Sequence, residues 1–247
     1  MKTESLPVVE TIYRAFAYVW WLRKRLAVAL LPALSILLIL DFLSLYISNI
    51  EDGPSTALLT FLAFPITILY VITVHRIMIL GPDGTKKYGL FEWGYREWRY
   101  LFFLIVLSIA AWVPIAIWFM LKFSANGNDE PFLIQVVTAW LPFIPIALAF
   151  ARVSLVFPAT AVDSRLSLRE SWEISRGNTL RLSAVIYSIP ILTMTVGAIL
   201  LNILPDAVIQ YFDTVTSIII VLVGYLLYVI EVSCLSFSYK YFVNSRN

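Results

Sequence analysis

Long apolar stretches alternate with short charged segments along this chain, and the apolar stretches share a common length. Each is about 20 to 25 residues, which as a helix is long enough to cross a hydrocarbon core of roughly 30 Å. The pattern predicts an all-α, polytopic membrane protein with six transmembrane helices. The predicted spans are 26–48, 55–79, 100–121, 132–151, 182–203 and 214–237.

Basic side chains gather at alternate ends of these spans. Of the 18 lysines and arginines, 17 lie near the chain termini or at the connections between spans two and three and spans four and five. The other ends hold only Lys122, among acidic residues such as Asp129 and Asp206. Because positively charged loops stay in the cytoplasm, both termini are predicted to be cytoplasmic.

The composition agrees with a membrane protein and excludes an ordinary soluble domain. Mean hydropathy is +0.85, and 60% of residues are apolar while only 14% are charged. Six spans in 247 residues leave room for a single integral membrane domain covering residues 1–247. The single cysteine, Cys234, lies within the predicted sixth span, so neither a disulfide framework nor a thiolate metal site is expected.

Three basic, aromatic segments precede alternate spans, at about residues 6–22, 85–99 and 167–176. Their apolar side chains recur at helical spacing, which is typical of amphipathic helices in the headgroup layer. In the third segment, Ser167 and Glu170 have the spacing of a capping box at a helix start. The chain is therefore predicted to form three hairpins, each preceded by a cytoplasmic interfacial helix.

The segment around the third predicted surface helix carries a recognisable set of residues, Pro158, Asp163, Leu168, Ser171, Trp172, Gly177, Asn178 and Arg181. With these residues it resembles a segment shared by YciC-like bacterial inner-membrane proteins and by the membrane domain attached to some glycerophosphodiester phosphodiesterases. The resemblance implies a six-helix domain of a bacterial inner membrane with no settled activity. It supplies no catalytic residues, because the phosphodiesterase chemistry of those fusions belongs to a separate soluble domain.

Ionisable residues within or beside the spans are candidates for intramembrane polar contacts. Asp41 lies in the first predicted span and Glu231 in the sixth. Placing an acidic residue at mid-span costs roughly 2.5–3.5 kcal/mol, so each should face protein or water, or be protonated. His75, Arg76 and Arg152 lie at a depth similar to that of Glu231, and we hypothesise an ion pair of Glu231 with Arg152 or Arg76.

Nothing in the sequence favours catalysis. His75 is the only histidine and has no carboxylate or cysteine at ligand spacing. We therefore expect a non-catalytic protein without cofactor, metal or nucleic acid, either lipid-interacting or an accessory subunit packed against other membrane proteins or its own copies. Anionic headgroups at the inner face are the expected lipid partners. Candidate headgroup or partner contacts are Arg14, Arg23, Arg96, Arg99, Pro158, Asp163, Arg169, Trp172, Arg176 and Arg181.

Two other functions remain open. A transporter or flippase of a lipid or other amphiphile is favoured by the repeated hairpins and by prolines such as Pro32, Pro114 and Pro190, which loosen helices where carbonyls line a cavity. An enzyme acting on lipid headgroups at the inner interface is the third. A polar cavity reaching mid-membrane would favour transport, and a closed interior would favour the accessory role.

The orientation is testable with reporter tags and protease mapping. Tags on both termini should be cytoplasmic, and the Asp129 turn should be cleaved only from the outer side, because basic flanks are retained inside. Termini on opposite sides, or a cytoplasmic Asp129 turn, would overturn the six-span arrangement.

Overall fold

The computed structural model describes residues 5–48, 55–82, 84, 93–125, 138, 141–203 and 213–245, and its regular structure over these ranges is entirely helical. We number the helices in chain order. They are α1 (Val8–Ser48), α2 (Ser55–Leu80), α3 (Tyr95–Ala125), α4 (Phe143–Val153), α5 (Val156–Ala161), α6 (Leu168–Ile174), α7 (Thr179–Ile203) and α8 (Asp213–Asn244).

Six segments among the described residues are long and apolar enough to cross a membrane. They lie in α1, α2, α3, the consecutive pair α4 and α5, α7 and α8. Spans adjacent in the chain contact one another, α1 with α2, α3 with α4 and α5, and α7 with α8. The predicted all-α chain with six apolar helices is thus confirmed, whereas the threefold repeat of surface helix and hairpin stays a prediction.

The first helix is longer than predicted, because two predicted helices form a single one. The predicted surface helix at 6–22 and the first span at 26–48 form one continuous helix of 41 residues, about 60 Å long. The basic residues at 23–25 are good helix formers and no glycine or proline separates the two parts, so nothing ends the helix there. This helix packs through residues such as Leu22 and Leu26, while Phe16 and Trp20 are exposed.

The second predicted surface helix is only partly within the described residues. Positions 85–92 lie outside them, and the remaining residues from Tyr95 to Arg99 are the first turn of α3. The described part of this segment therefore continues directly into the third span. The predicted separate helix at 85–99 is wrong in this part, because no helix-breaking residue follows Tyr95 before the span.

A short helix is present where the third surface helix was predicted. Helix α6 begins at a capping box in which the Glu170 amide donates to Ser167 Oγ (3.2 Å) and the Ser167 amide donates to Glu170 Oε2 (2.8 Å). The chain then turns at Gly177, whose φ of +82° is readily adopted by glycine. The sequence therefore located both the beginning of this helix and the turn that follows it.

The predicted fourth span, 132–151, is only partly within the described residues. There the apolar helical stretch runs over Phe143–Ala161, with an interruption between α4 and α5, and so continues beyond the predicted end at 151. Positions 132–137, 139 and 140 lie outside the described residues. Pro158, a candidate headgroup or partner contact from the sequence, is a buried residue of α5. The chain turns after α5, at Asp163, which has a φ of +61°.

Among the described residues, packing is closest at the end that carries residues 5–8 and 240–245, residues 76–82 and 84, the first turn of α3 and residues 151–182. We call this the basic end. One hydrophobic cluster joins α1, α2, α3, α5 and α8 around residues such as Leu37 and Tyr70, and a second joins the N-terminal segment to α7 and α8 around Leu6 and Leu182. Towards the opposite end, side chains such as those at 191–196 of α7 are exposed.

The packing of α1 is testable with a neighbouring pair of substitutions. Leu37 is 1% exposed, whereas Ile39 is 64% exposed. Truncating a buried leucine to alanine leaves a cavity and costs about 2–5 kcal/mol in soluble proteins, while an exposed residue has few protein contacts to lose. Leu37→Ala should therefore lower the unfolding temperature in lipid nanodiscs clearly more than Ile39→Ala. Equal losses would contradict this packing.

Candidate functional site

Arg76 of α2 binds the turn that follows α5. Its guanidinium donates to the Ala161 carbonyl (2.9 Å) and to Asp163 Oδ2 (3.1 Å) through Nη1, and to the Gly84 carbonyl (3.1 Å) through Nε. The Arg76 side chain is only 7% exposed. A charged group so deeply buried requires hydrogen-bonding partners, and the turn supplies both carbonyls and a carboxylate.

Arg96 extends this contact towards α3. Its guanidinium lies 3.5 Å from Asp163 Oδ2 and 2.6 Å from Glu97 Oε1. Glu97 is almost fully buried and also accepts a hydrogen bond from the Gly94 amide (2.9 Å), which satisfies a backbone donor just before the helix. Asp163 thus joins two arginines from different helices into one ionic network.

Arg99, about one turn further along α3, binds carbonyl groups of the segment that connects α5 to α6. It donates to the Ser164 and Leu166 oxygens, both at 3.2 Å. Arg96, Arg99 and Asp163 were predicted to contact headgroups or a partner, and the structure shows them in contacts within the chain. They hold the connection between α5 and α6 against α2 and α3.

Arg152 attaches the short surface helix α6 to α4. Its guanidinium carbon lies 3.7 Å from the Trp172 ring centroid, a cation–π contact, and its carbonyl accepts a hydrogen bond from Ser171 Oγ (2.7 Å). Ser171 is fully buried, while Trp172 remains 42% exposed. Trp172, which was predicted to contact a headgroup or a partner, therefore packs against Arg152 and remains partly exposed.

The start of α7 holds the N-terminal segment. The Leu6 amide donates to Asn178 Oδ1 (2.8 Å), and Arg181 Nη1 donates to the Leu6 carbonyl (3.3 Å). Leu6 itself is fully buried. Arg181, another predicted headgroup contact, thus has an intramolecular role as well.

His75 is a buried residue that connects α2 to α8. Its Nδ1 lies 2.7 Å from Ser236 Oγ, and its ring centroid is 6.4 Å from that of Tyr100. Ser236 also donates to the Val232 carbonyl (2.9 Å). Because the Ser236 proton is used in that bond, the histidine is best placed as the donor, and the pair links two packed helices.

The two acidic residues within spans differ in their contacts. Glu231 makes no ion pair with Arg76 or Arg152 among the described contacts, since those arginines are directed to the turn after α5 and to Trp172. Asp41 accepts a hydrogen bond from the Tyr225 hydroxyl (2.7 Å). Both carboxylates line one groove of about 500 Å³ between α1, α7 and α8.

The remaining predicted contact residues lie on the surface of the basic end. Arg14 pairs with Glu10 at 2.5 Å, and both side chains are more than half exposed. Arg23 lies 4.9 Å from the Trp20 ring centroid. Further along the chain, Arg169 pairs with an exposed carboxylate on α6, and Arg176 is exposed.

A second concave region lies between the beginning of α1 and the end of α8. It has a volume of about 490 Å³, and its lining includes Glu10, Arg14, Lys240, Asn244 and Ser245. We call it the terminal pocket. Of these side chains only Arg14 was a candidate from the sequence. Lys240, Asn244 and Ser245 lie beyond the predicted end of the sixth span at 237.

Several contacts were not identified from the sequence. The Asn178 bond to Leu6 joins positions 172 residues apart, and the Tyr225 bond to Asp41 joins positions 184 apart. Neither pairing has a local signature.

No group of three or more histidine, cysteine, aspartate or glutamate side chains suited to a metal ion occurs among the described residues. Models of known protein families, curated proteins and solved structures provide no match to the chain. The geometry of its own side chains is thus the basis for assigning a function.

The role of Arg76 is testable by comparing Arg76→Met with Arg165→Met. Removing the Arg76 guanidinium leaves the buried Ala161 carbonyl without a donor, a loss of about 1–3 kcal/mol. Arg165 is exposed on the same connection, so its substitution should have little effect. Thermal unfolding in nanodiscs should therefore separate the two variants, and equal unfolding temperatures would argue against the network as a structural element.

Proposed function

We propose that this chain is a non-catalytic, multi-pass protein of a bacterial inner membrane that binds anionic lipid headgroups at its basic end. In this role it acts as a lipid-interacting or accessory subunit of a membrane-protein assembly. The observation that carries the proposal is the terminal pocket, in which cationic and hydroxyl or amide side chains meet beside the spans.

The chemistry of the terminal pocket suits a phosphate group. Arg14 and Lys240 supply two cations against the single carboxylate of Glu10, which leaves a net positive charge of about one. Asn244 and Ser245 add polar groups able to bond to phosphate or glycerol oxygens. A phospholipid headgroup brings a matching negative charge to that depth, because its acyl chains remain beside the apolar helices.

The surroundings of the pocket favour a position in the headgroup layer. Trp20 and Trp21 are 64% and 68% exposed on α1, next to the basic residues 23–25. Tryptophan is enriched at membrane interfaces because its ring combines an apolar body with one polar group. This belt of aromatic and basic side chains supports an inner-face location, with both termini in the cytoplasm as proposed from the charges.

The residues at 154–182 support membership of the YciC-like group as a further part of the proposal. Two residues of that resemblance have clear local roles, Asn178 as the acceptor for Leu6 and Gly177 at a left-handed turn. These two roles in local folding explain why such residues belong to the shared segment, and neither role requires catalysis.

The lipid proposal is testable by extracting the protein gently in native lipid and identifying the co-purifying molecules by mass spectrometry. Anionic phospholipid should be enriched over its bulk proportion. Combining Arg14→Gln with Lys240→Gln should reduce that enrichment, because each cation near the surface contributes about 1 kcal/mol, a roughly fivefold change in affinity. Retained partner proteins would identify the assembly.

A matched control combines Arg165→Gln with Arg169→Gln, which removes the same charge from exposed positions away from the terminal pocket. The control should lose less enrichment than the pocket variant. Recovery of a lone chain with lipid in bulk proportions would contradict the proposed function.

Transport of an amphiphile is the second candidate, and the groove between α1, α7 and α8 is the observation that favours it. That groove lies within the spans and includes Pro190, Asp41 and Glu231. Its lining is mainly apolar, however, which suits binding from the lipid better than a polar path across the membrane. We therefore place transport second.

A further inference from the structure

The groove between α1, α7 and α8 combines an apolar wall with two carboxylates. Residues 189–194 of α7 and 221–228 of α8 form most of the wall, and Asp41 and Glu231 also line it. No lysine or arginine is among the described residues of the lining. The groove therefore places two acidic side chains beside one apolar wall inside the spans, with no basic residue among its described lining.

The two carboxylates have few partners within the protein. Asp41 accepts one hydrogen bond, from the Tyr225 hydroxyl (2.7 Å). Glu231 has neither a hydrogen bond nor an ion pair with another described residue. An acidic residue within a span is unfavourable unless a partner or water compensates it, and such a residue marks a functional site by default. Charge complementarity indicates that the missing partner is a cation.

Aromatic rings beside the carboxylates favour an organic cation. Tyr225 and Tyr228 both line the groove. Their rings are held by Tyr70, which packs edge-on against Tyr225 at 5.9 Å, stacks on Tyr228 at 6.4 Å and donates to the Tyr225 carbonyl. Fixed aromatic rings bind organic cations through their electron-rich faces without requiring hydrogen bonds.

We propose that this groove binds a lipophilic organic cation, with its apolar body against α7 and its charged centre near Asp41, Glu231 and the tyrosines. The volume of about 500 Å³ lies within the roughly 300–1,000 Å³ usual for small-molecule sites. Met194 on the α7 side is 74% exposed, so the ligand enters sideways from the lipid. This site is separate from the terminal pocket and does not depend on binding of anionic lipid.

The charge requirement is testable with two ions of nearly equal size and shape, tetraphenylphosphonium and tetraphenylborate. The full-length protein is placed in nanodiscs of zwitterionic phosphatidylcholine, and empty nanodiscs measure partitioning into lipid. Equilibrium dialysis should find saturable binding of one tetraphenylphosphonium per chain above that background. Tetraphenylborate should neither bind saturably nor compete.

Glycine substitutions locate the site. A Cβ added at Gly224, which lines the groove, meets no atom within 4 Å, so Gly224→Leu fills the groove without an internal clash. Gly197 on α7 has the same free space and does not line the groove, which makes Gly197→Leu the matched control. Gly224→Leu should weaken tetraphenylphosphonium binding at least tenfold, while Gly197→Leu should change it less than twofold.

Charge substitutions test the carboxylates directly. Asp41→Asn combined with Glu231→Gln should also weaken binding at least tenfold, whereas Glu173→Gln, on α6 at the basic end, should have no effect. If the double variant does not fold, the two glycine variants and the comparison of tetraphenylphosphonium with tetraphenylborate still test the proposal. Equal binding of both ions, or full binding by Gly224→Leu, would overturn the proposal and leave the terminal-pocket proposal intact.

Discussion

A guanidinium buried against the turn after α5 is the contact on which the organisation of the basic end depends. Arg76 reaches from α2 to the Ala161 carbonyl and to Asp163, and Arg96 from α3 reaches the same carboxylate. Arginine suits this position because its planar fork donates several hydrogen bonds in fixed directions. The turn at Asp163 adopts a left-handed conformation, so the surrounding hydrogen bonds must stabilise it. Two spans and the short surface helix are thereby held together.

The structure distinguishes buried from exposed basic residues at the basic end, a difference that the composition does not show. Buried guanidiniums such as Arg76 connect segments of the chain, whereas exposed groups such as Arg14 remain directed to the surroundings. Only the second kind is accessible to a lipid headgroup. The proposed lipid interaction therefore depends on a smaller set of cations than the charge asymmetry suggests. Lys240, which is partly buried, adds to that set because it lines the terminal pocket.

The terminal pocket and the groove between α1, α7 and α8 have different chemistry, which matches their different positions along the spans. The terminal pocket is lined by Arg14 and Lys240 and lies beside the chain ends, where anionic headgroups would be found. The groove within the spans contains Asp41 and Glu231 without a cation in its described lining. Opposite charges at the two depths would let one protein interact with lipid at its basic end and with a cationic amphiphile between its helices.

The number of apolar helices and the start of α6 follow from the sequence alone, because apolar length and the Ser167–Glu170 capping box are local properties. The extent of α1 required the structure, since basic residues in a helix signal a membrane boundary without ending the helix. Long-range contacts such as Arg76 with Asp163 were equally beyond sequence reasoning. A charge pattern specifies which side of a membrane a residue favours, but the partner of a buried charge depends on how the helices pack, and that packing brings distant positions together.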